Sequence, residues 1–393
     1  MDETFINMKA VSYKELPDHL ISIGNQKLIK TLAVYGPNAS GKTNLFLAFA
    51  SFHSLIFLQL SPAKAFFKNR FMTLLQLNSM SKIAPFQLNE STAEPTEMEI
   101  SFISGNRIFE YGITISSQKI LAEHLTVDHH VVFTRTGGDF SFGRQYEKCL
   151  RTKSGLKPAE DRLFCSILSY LDVPEIKSFM KSFETFFTEQ IFYYFDILEP
   201  LQILGNTMMD GVFYKLLRNP EAVNYSLLQL RKLGIPVEDF IIDDGIPKLG
   251  YRIKSRSDGQ TKLQYMDITK ISSGTLKYLF IFVRIFELKQ NGGILIVDNI
   301  SSEFHPSVTK FIVDSFQKNN NKNVQLIFTT FDISLLNNQQ FRRDEVAFVD
   351  INEYQESRLY TLADIKVRSD ASFSKDYLLG KYGAIPLLNG QIF

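Results

Sequence analysis

Apolar positions along this chain change their period several times, and each change marks a different kind of element. A short unbroken run, Leu32-Ala33-Val34-Tyr35, ends at Gly36; after a polar loop, a long apolar stretch runs from Leu45 to Leu60. The first predicts a buried strand and the second a buried helix. From Glu97 the pattern alternates over MEISFIS, RIFEYGITIS, KILAEHLTVD and HHVVFTR, with breaks at Gly105-Asn106, Ser116-Ser117 and His129-His130. Period two interrupted by turn residues predicts an antiparallel meander, with both histidines in a surface turn. From about Lys157 apolar residues recur at i, i+3 and i+4 through Asp161–Leu171, Pro174–Tyr194, Asp210–Leu217 and Pro220–Leu233, which predicts a helical insert. Strand patterns return at Phe240–Ile242, Gly250–Lys254 and Lys262–Met266.

The last third alternates in a different way. An amphipathic run, Leu276–Lys289, leads through Gly292-Gly293 into the apolar strand Ile294–Val297. A helix from Pro306 to Lys318 then leads to Gln325–Thr330. Apolar strands alternating with helices predict a mainly parallel core sheet, so the fold class is α/β with a β meander and a helical insert. The expected divisions are residues 1–156, 157–240 and 241–393.

Composition adds little to this picture. Of 393 residues, 45% are hydrophobic and 22% charged, and the formal net charge is +1. That balance gives no field arguing for nucleic acid or a membrane surface. Two cysteines, Cys149 and Cys165, suggest neither a disulfide framework nor a metal site. The N-terminal residues lack a signal-peptide pattern, and Leu45–Leu60 reads as a core helix rather than a span, so a cytoplasmic protein is expected.

The chemistry concentrates in Gly36-Pro37-Asn38-Ala39-Ser40-Gly41-Lys42-Thr43-Asn44, between the predicted strand and helix. This is the G-x-x-x-x-G-K-[ST] spacing in its strand–loop–helix context. Glycines at both ends allow consecutive N–H groups to face inward around a phosphate, and the following helix turns its positive end to the same anion. Lys42 is then expected to reach the β- and γ-phosphates, with the Thr43 hydroxyl on Mg²⁺. Asp298, ending an apolar strand expected beside the P-loop strand, is the second candidate Mg²⁺ residue. Ser272-Ser273-Gly274 before a helix supplies a hydroxyl and backbone donors, a second phosphate-binding surface.

The succession GPNASGKTN, PFQLN, ISSGT, GGILIVDNISSEFHP, QLIFTTFDISLL, RRDEVAFVD resembles bacterial ABC/SMC-type ATPases carrying the AAA label, close to the OLD-like and RloA/AbiLi-type anti-phage proteins. The C-terminal RSDASFSKDYLLGKYGAIP is similar to the tail of that last subgroup. The resemblance implies a P-loop NTPase of ABC-head type: residues 1–156 and 241–393 as its two halves, 157–240 as a helical arm. It implies ATP and Mg²⁺ as cofactors, with Gln87 as a γ-phosphate-sensing residue near the metal. Ser272, Ser273 and Gly274 are implied as a signature acting on a second subunit. The implied partners are a second copy, or a higher even-numbered oligomer, and a separate effector such as a nuclease, with no membrane.

Two departures stand out. Asn299 occupies the place where that family carries the Glu that polarises water, and Phe331 the place of its γ-phosphate-contacting His. Asn cannot act as a base and Phe cannot donate a hydrogen bond, so nucleotide binding with weak or absent hydrolysis is expected. Two alternatives stand beside this reading. One is an active ATPase in which Glu303 or a partner residue supplies the base. The other is an SMC-like head that senses nucleic acid.

Overall fold

The computed structural model describes residues 4–60, 94–116, 119–151, 158–194, 219–318 and 323–386. Contacts group the chain into two compact units, Met1–Asn44 with Phe192–Phe393, and Leu45–Ile191.

In chain order, β1 (Leu20–Ile23) and β2 (Gln26–Ile29) form a small antiparallel pair ahead of the wholly buried β3 (Thr31–Tyr35). The helix Lys42–Leu60 follows the loop after β3. By length and composition it could cross a membrane. Phe46, Ala50, Phe52, Leu55, Ile56, Phe57 and Leu60 are nonetheless buried against protein, as a core helix requires.

The second unit contains the meander. β4 (Thr96–Ser104), β5 (Arg107–Ser116), β6 (Lys119–Val127), β7 (His130–Thr136) and β8 (Asp139–Phe142) pair antiparallel in sequence order. The fifth strand is an addition to the four expected, since four residues are too few to show a period. Gly105 and Asn106 both have φ near +60°, the geometry of a tight hairpin turn. The next but one turn is made by Asp128 and His129, so His130 begins β7 instead of sharing the turn. The helix Pro174–Glu189 lays Phe179, Phe183, Phe186 and Phe187 in the core. The Phe186 ring lies 3.9 Å from that of Phe102, and the Phe183 ring 5.2 Å from that of Tyr111. A carboxylate is buried here as well. Glu123 accepts from Phe164 N at 2.6 Å, Cys165 N at 2.9 Å and Tyr111 Oη at 3.0 Å, with Arg135 3.8 Å away. It caps the short helix Phe164–Leu168, and burial pushes its pKa up despite those donors.

Helical periodicity was expected to run through Tyr194, but the helix ends at Glu189 and Ile191–Tyr194 is a strand, β9. Four consecutive apolar residues satisfy either period, and here all four are buried in a strand at one edge of the six-stranded sheet. The helix Pro220–Lys232 is capped by the Asn219 side chain. The segment expected at Asp210–Leu217 lies outside the described residues. β10 (Val237–Asp243), β11 (Ile246–Lys254) and β12 (Thr261–Asp267) form an antiparallel sheet of their own.

The helix Ser273–Asn291 leads to β13 (Gly293–Val297), and the helix Pro306–Gln317 to β14 (Val324–Thr329). β15 (Val346–Ile351) and β16 (Ser357–Thr361) complete a six-stranded sheet of order β16-β15-β3-β14-β13-β9. β15, β3, β14 and β13 are parallel; β16 is antiparallel to β15. One expectation is corrected by this order. The strand leading to Asp298 does not neighbour the P-loop strand, because β14 lies between them.

Candidate functional site

The carboxyl ends of β3, β14 and β13 carry the candidate chemistry, as parallel sheets arrange it. Gly36 leaves β3 with φ +154°, and a Cβ there would lie 2.3 Å from Val349 O on β15. Gly41 has φ +96°, and a Cβ there would stand 2.2 Å from Ser357 Oγ on β16. Only glycine fits either corner. Between them Ala39 takes φ +62°, Asn38 and Ala39 are exposed, and Ser40 is buried. Ser357 donates from Oγ to Ser40 O at 2.8 Å, so the β15–β16 hairpin backs the loop. Nothing in the sequence pattern pointed to Ser357.

The loop's first helical turn overhangs β14 and so reaches the next strand. Thr43 Oγ1 donates to Asp298 Oδ2 at 2.8 Å. Thr329, at the end of β14, donates to Asp298 Oδ1 at 2.6 Å and accepts from Asn299 N at 2.6 Å. Asp298 is therefore held on both oxygens, and the intervening strand supplies one of the two donors. Lys42, largely buried, donates to Gly36 O and Pro37 O at 2.8 Å each. Burial lowers its pKa to about 8, against the opposing pull of Asp298. Asn44 is exposed on the first helical turn. Gln87 lies outside the described residues.

Asn299 turns away from the sheet with φ +51°. Asn tolerates this left-handed geometry better than most residues. Its carbonyl accepts from Lys277 Nζ at 3.0 Å, as does Ser302 O at 3.2 Å. Lys277 is fully buried, with the rings of Tyr194 and Phe304 about 5 Å away. It belongs to the helix begun by the Ser-Ser-Gly segment, so that helix is tied to the turn after Asp298. At its start Ser272 Oγ accepts from Thr275 N at 3.3 Å, and both Ser272 and Ser273 are exposed. Gly274 approaches Glu303, whose carbonyl would lie 3.3 Å from a Cβ placed there. Phe331 follows Thr329-Thr330, half exposed, with its ring centroid 4.3 Å from Lys42 Nζ.

The donor set fits a Mg²⁺·triphosphate. One carboxylate and one hydroxyl are hard oxygen donors, too few for a lone ion, and Mg²⁺ completes its shell with phosphate and water. Ser40 Oγ is a further buried polar atom in the cradle, without a partner among the described residues.

A glycine-cornered loop whose helix reaches over one strand to an acidic strand end defines a P-loop NTPase. Within that class the chain belongs to the family described as AAA domain, putative AbiEii toxin, Type IV TA system, which matches residues 32–136 and 181–337, more than half of the chain. It is an ATPase-type nucleotide-binding protein. No curated protein matches the chain. Among solved structures it is similar to an SmcHead bound to the C-winged helix domain of ScpA, at TM-score 0.39 and 13% identity, over 87% of this chain and 95% of that one. A Thermotoga maritima SMC head domain gives TM-score 0.34 and 12% identity over 87% and 95%. A Pyrococcus furiosus Smc head bound to the C-terminal domain of ScpA gives 0.39 and 13% over 91% and 95%.

Proposed function

We propose that this protein binds ATP with Mg²⁺ and uses it as a switch for self-association, with weak or absent hydrolysis. The observation that carries this reading is the contact of Thr43 with Asp298 beside Lys42, with Asn299 and Phe331 at the two positions where a base and a γ-phosphate donor are expected. Thr43 and Asp298 would hold the metal, with Gln87 as a third candidate. When bound, Mg²⁺ would supply positive charge that offsets the phosphates. Lys42 and the N–H groups of residues 38–44 would bind the phosphates. No carboxylate follows Asp298 to take a proton from water, and loss of such a base costs about a hundredfold to ten-thousandfold in rate.

The exposed Ser272 and Ser273 at a helix start would meet a nucleotide held by a second copy, so that ATP forms part of a dimer interface. In this reading the dimer controls an effector such as a nuclease, in the anti-phage setting that the sequence resemblance implies.

Titration with a fluorescent ATP analogue tests the first step. Wild type should bind in the presence of Mg²⁺, and Lys42→Ala should not. Hydrolysis by purified wild type at about 1 s⁻¹ or faster, an ordinary enzymatic rate, would overturn the switch reading.

A further inference from the structure

We propose that Phe331 is a latch on the phosphate-binding lysine, holding Lys42 against its own loop until a triphosphate displaces the ring. The latch rests on the nucleotide-binding reading and adds a control to it.

Two of the three ammonium protons of Lys42 go to Gly36 O and Pro37 O at 2.8 Å. The Phe331 ring stands beside the same nitrogen, its centroid 4.3 Å away. An aromatic face attracts an ammonium, and more strongly when water is excluded, as it is around the largely buried Lys42. The ring owes its place to a pinned backbone. Thr330 N donates to Val34 O at 3.1 Å, and Asp332 N donates to Thr330 Oγ1 at 3.0 Å. Tyr35 Oη donates to Asp332 O at 3.2 Å. Residues on either side of Phe331 are thus tied to β3 and to each other, and the side chain between them is set over the mouth of the loop.

The third proton of Lys42 is the one a γ-phosphate would take, and the ring competes with the phosphate for that side of the ammonium. Only the fraction in which the ring has moved aside binds, and apparent affinity falls by that fraction. A histidine here could contact phosphate; a phenylalanine contacts the lysine instead. Phe331 therefore offers no phosphate contact of its own and adds a barrier to loading.

Stopped-flow binding of mant-ATP with Mg²⁺ to wild type, Phe331→Leu, Phe331→Ala and Phe331→Tyr tests the latch. Leu and Ala variants should associate faster and bind about 3- to 10-fold tighter, while Tyr, which keeps the aromatic face, should match wild type. Unchanged or weaker binding by the Leu and Ala variants would overturn the proposal, since the ring would then be neutral or would assist the nucleotide.

A second measurement needs no nucleotide. In protein labelled with ¹³C-lysine, the Lys42 ε-methylene signal, identified by its loss in Lys42→Arg, should be ring-shifted upfield and return to the ordinary position in Phe331→Leu. Absence of that shift overturns the latch alone. Absence of mant-ATP binding by wild type and every variant overturns the nucleotide reading, and the latch with it.

Discussion

Thr43 and Asp298 stand 255 positions apart in the chain, and the hydroxyl of one donates to the carboxylate of the other at 2.8 Å. That pair joins the phosphate loop to the acidic strand end across β14. Asp298→Asn keeps the shape and removes the charge, so ATP affinity should lose its dependence on Mg²⁺ while metal-free binding changes little. Calorimetric titration with and without EDTA measures both. An unaltered Mg²⁺ response would remove Asp298 from the metal site.

Position 299 constrains any attempt to restore hydrolysis. A residue other than Gly or Asn at φ +51° costs about 1–2 kcal/mol, so Asn299→Glu alone should destabilise the protein by that order while Asn299→Gly should not. Denaturant midpoints compare the two. Combined with Phe331→His, the Glu variant should raise phosphate release at least tenfold above wild type, a fraction of what base catalysis supplies.

Lys42 makes stability depend on pH in a specific direction. Its folded pKa is about 8 against an ordinary lysine value of 10.5, so the fold disfavours its charged form. Between those values the unfolded chain holds the proton that the folded protein has lost, and the contribution of this group to stability rises with pH. Lys42→Met should therefore be more stable than wild type at pH 7, by roughly 1 kcal/mol after solvent screening, with the gap closing from pH 8 upward. A constant difference across pH 7 to 10 would contradict the buried ammonium.

Ser273→Arg tests the interface. The residue is exposed at the start of a helix, so Arg should leave the monomer folded and able to bind nucleotide while blocking closure. Sedimentation with ATP·Mg²⁺ should show dimer for wild type and monomer for the variant. Equal assembly of both proteins at every ATP concentration would exclude an ATP-containing interface.

Glu123 offers a check within the meander. Glu123→Ala strips Phe164 N, Cys165 N and Tyr111 Oη of their acceptor and leaves Arg135 buried without this nearby carboxylate. The loss should be about 3–5 kcal/mol, the scale of breaking a buried charged network. Thermal unfolding would register it as a fall in Tm without change in nucleotide affinity at low temperature.

Local order along the chain was legible wherever one period or one motif dominated. The P-loop spacing, the alternation from Glu97 and the apolar run before Asp298 each carry their structure in a dozen residues or fewer. Backbone geometry and burial on one face leave few other patterns possible there. The four residues of β9 were ambiguous because an unbroken apolar run serves either period. Strand order, by contrast, is set by which surfaces pack, and no local pattern encodes that β14 lies between β3 and β13. Thr329 became a clamp on Asp298 through that order, and Ser357 became a support of the loop because β16 lies next to β15. Asn299 looked like a missing base in the sequence. In the fold it is also a residue suited to a left-handed turn, held by a lysine 22 positions earlier. Such roles arise from contacts between distant segments, and only the folded chain brings those segments together.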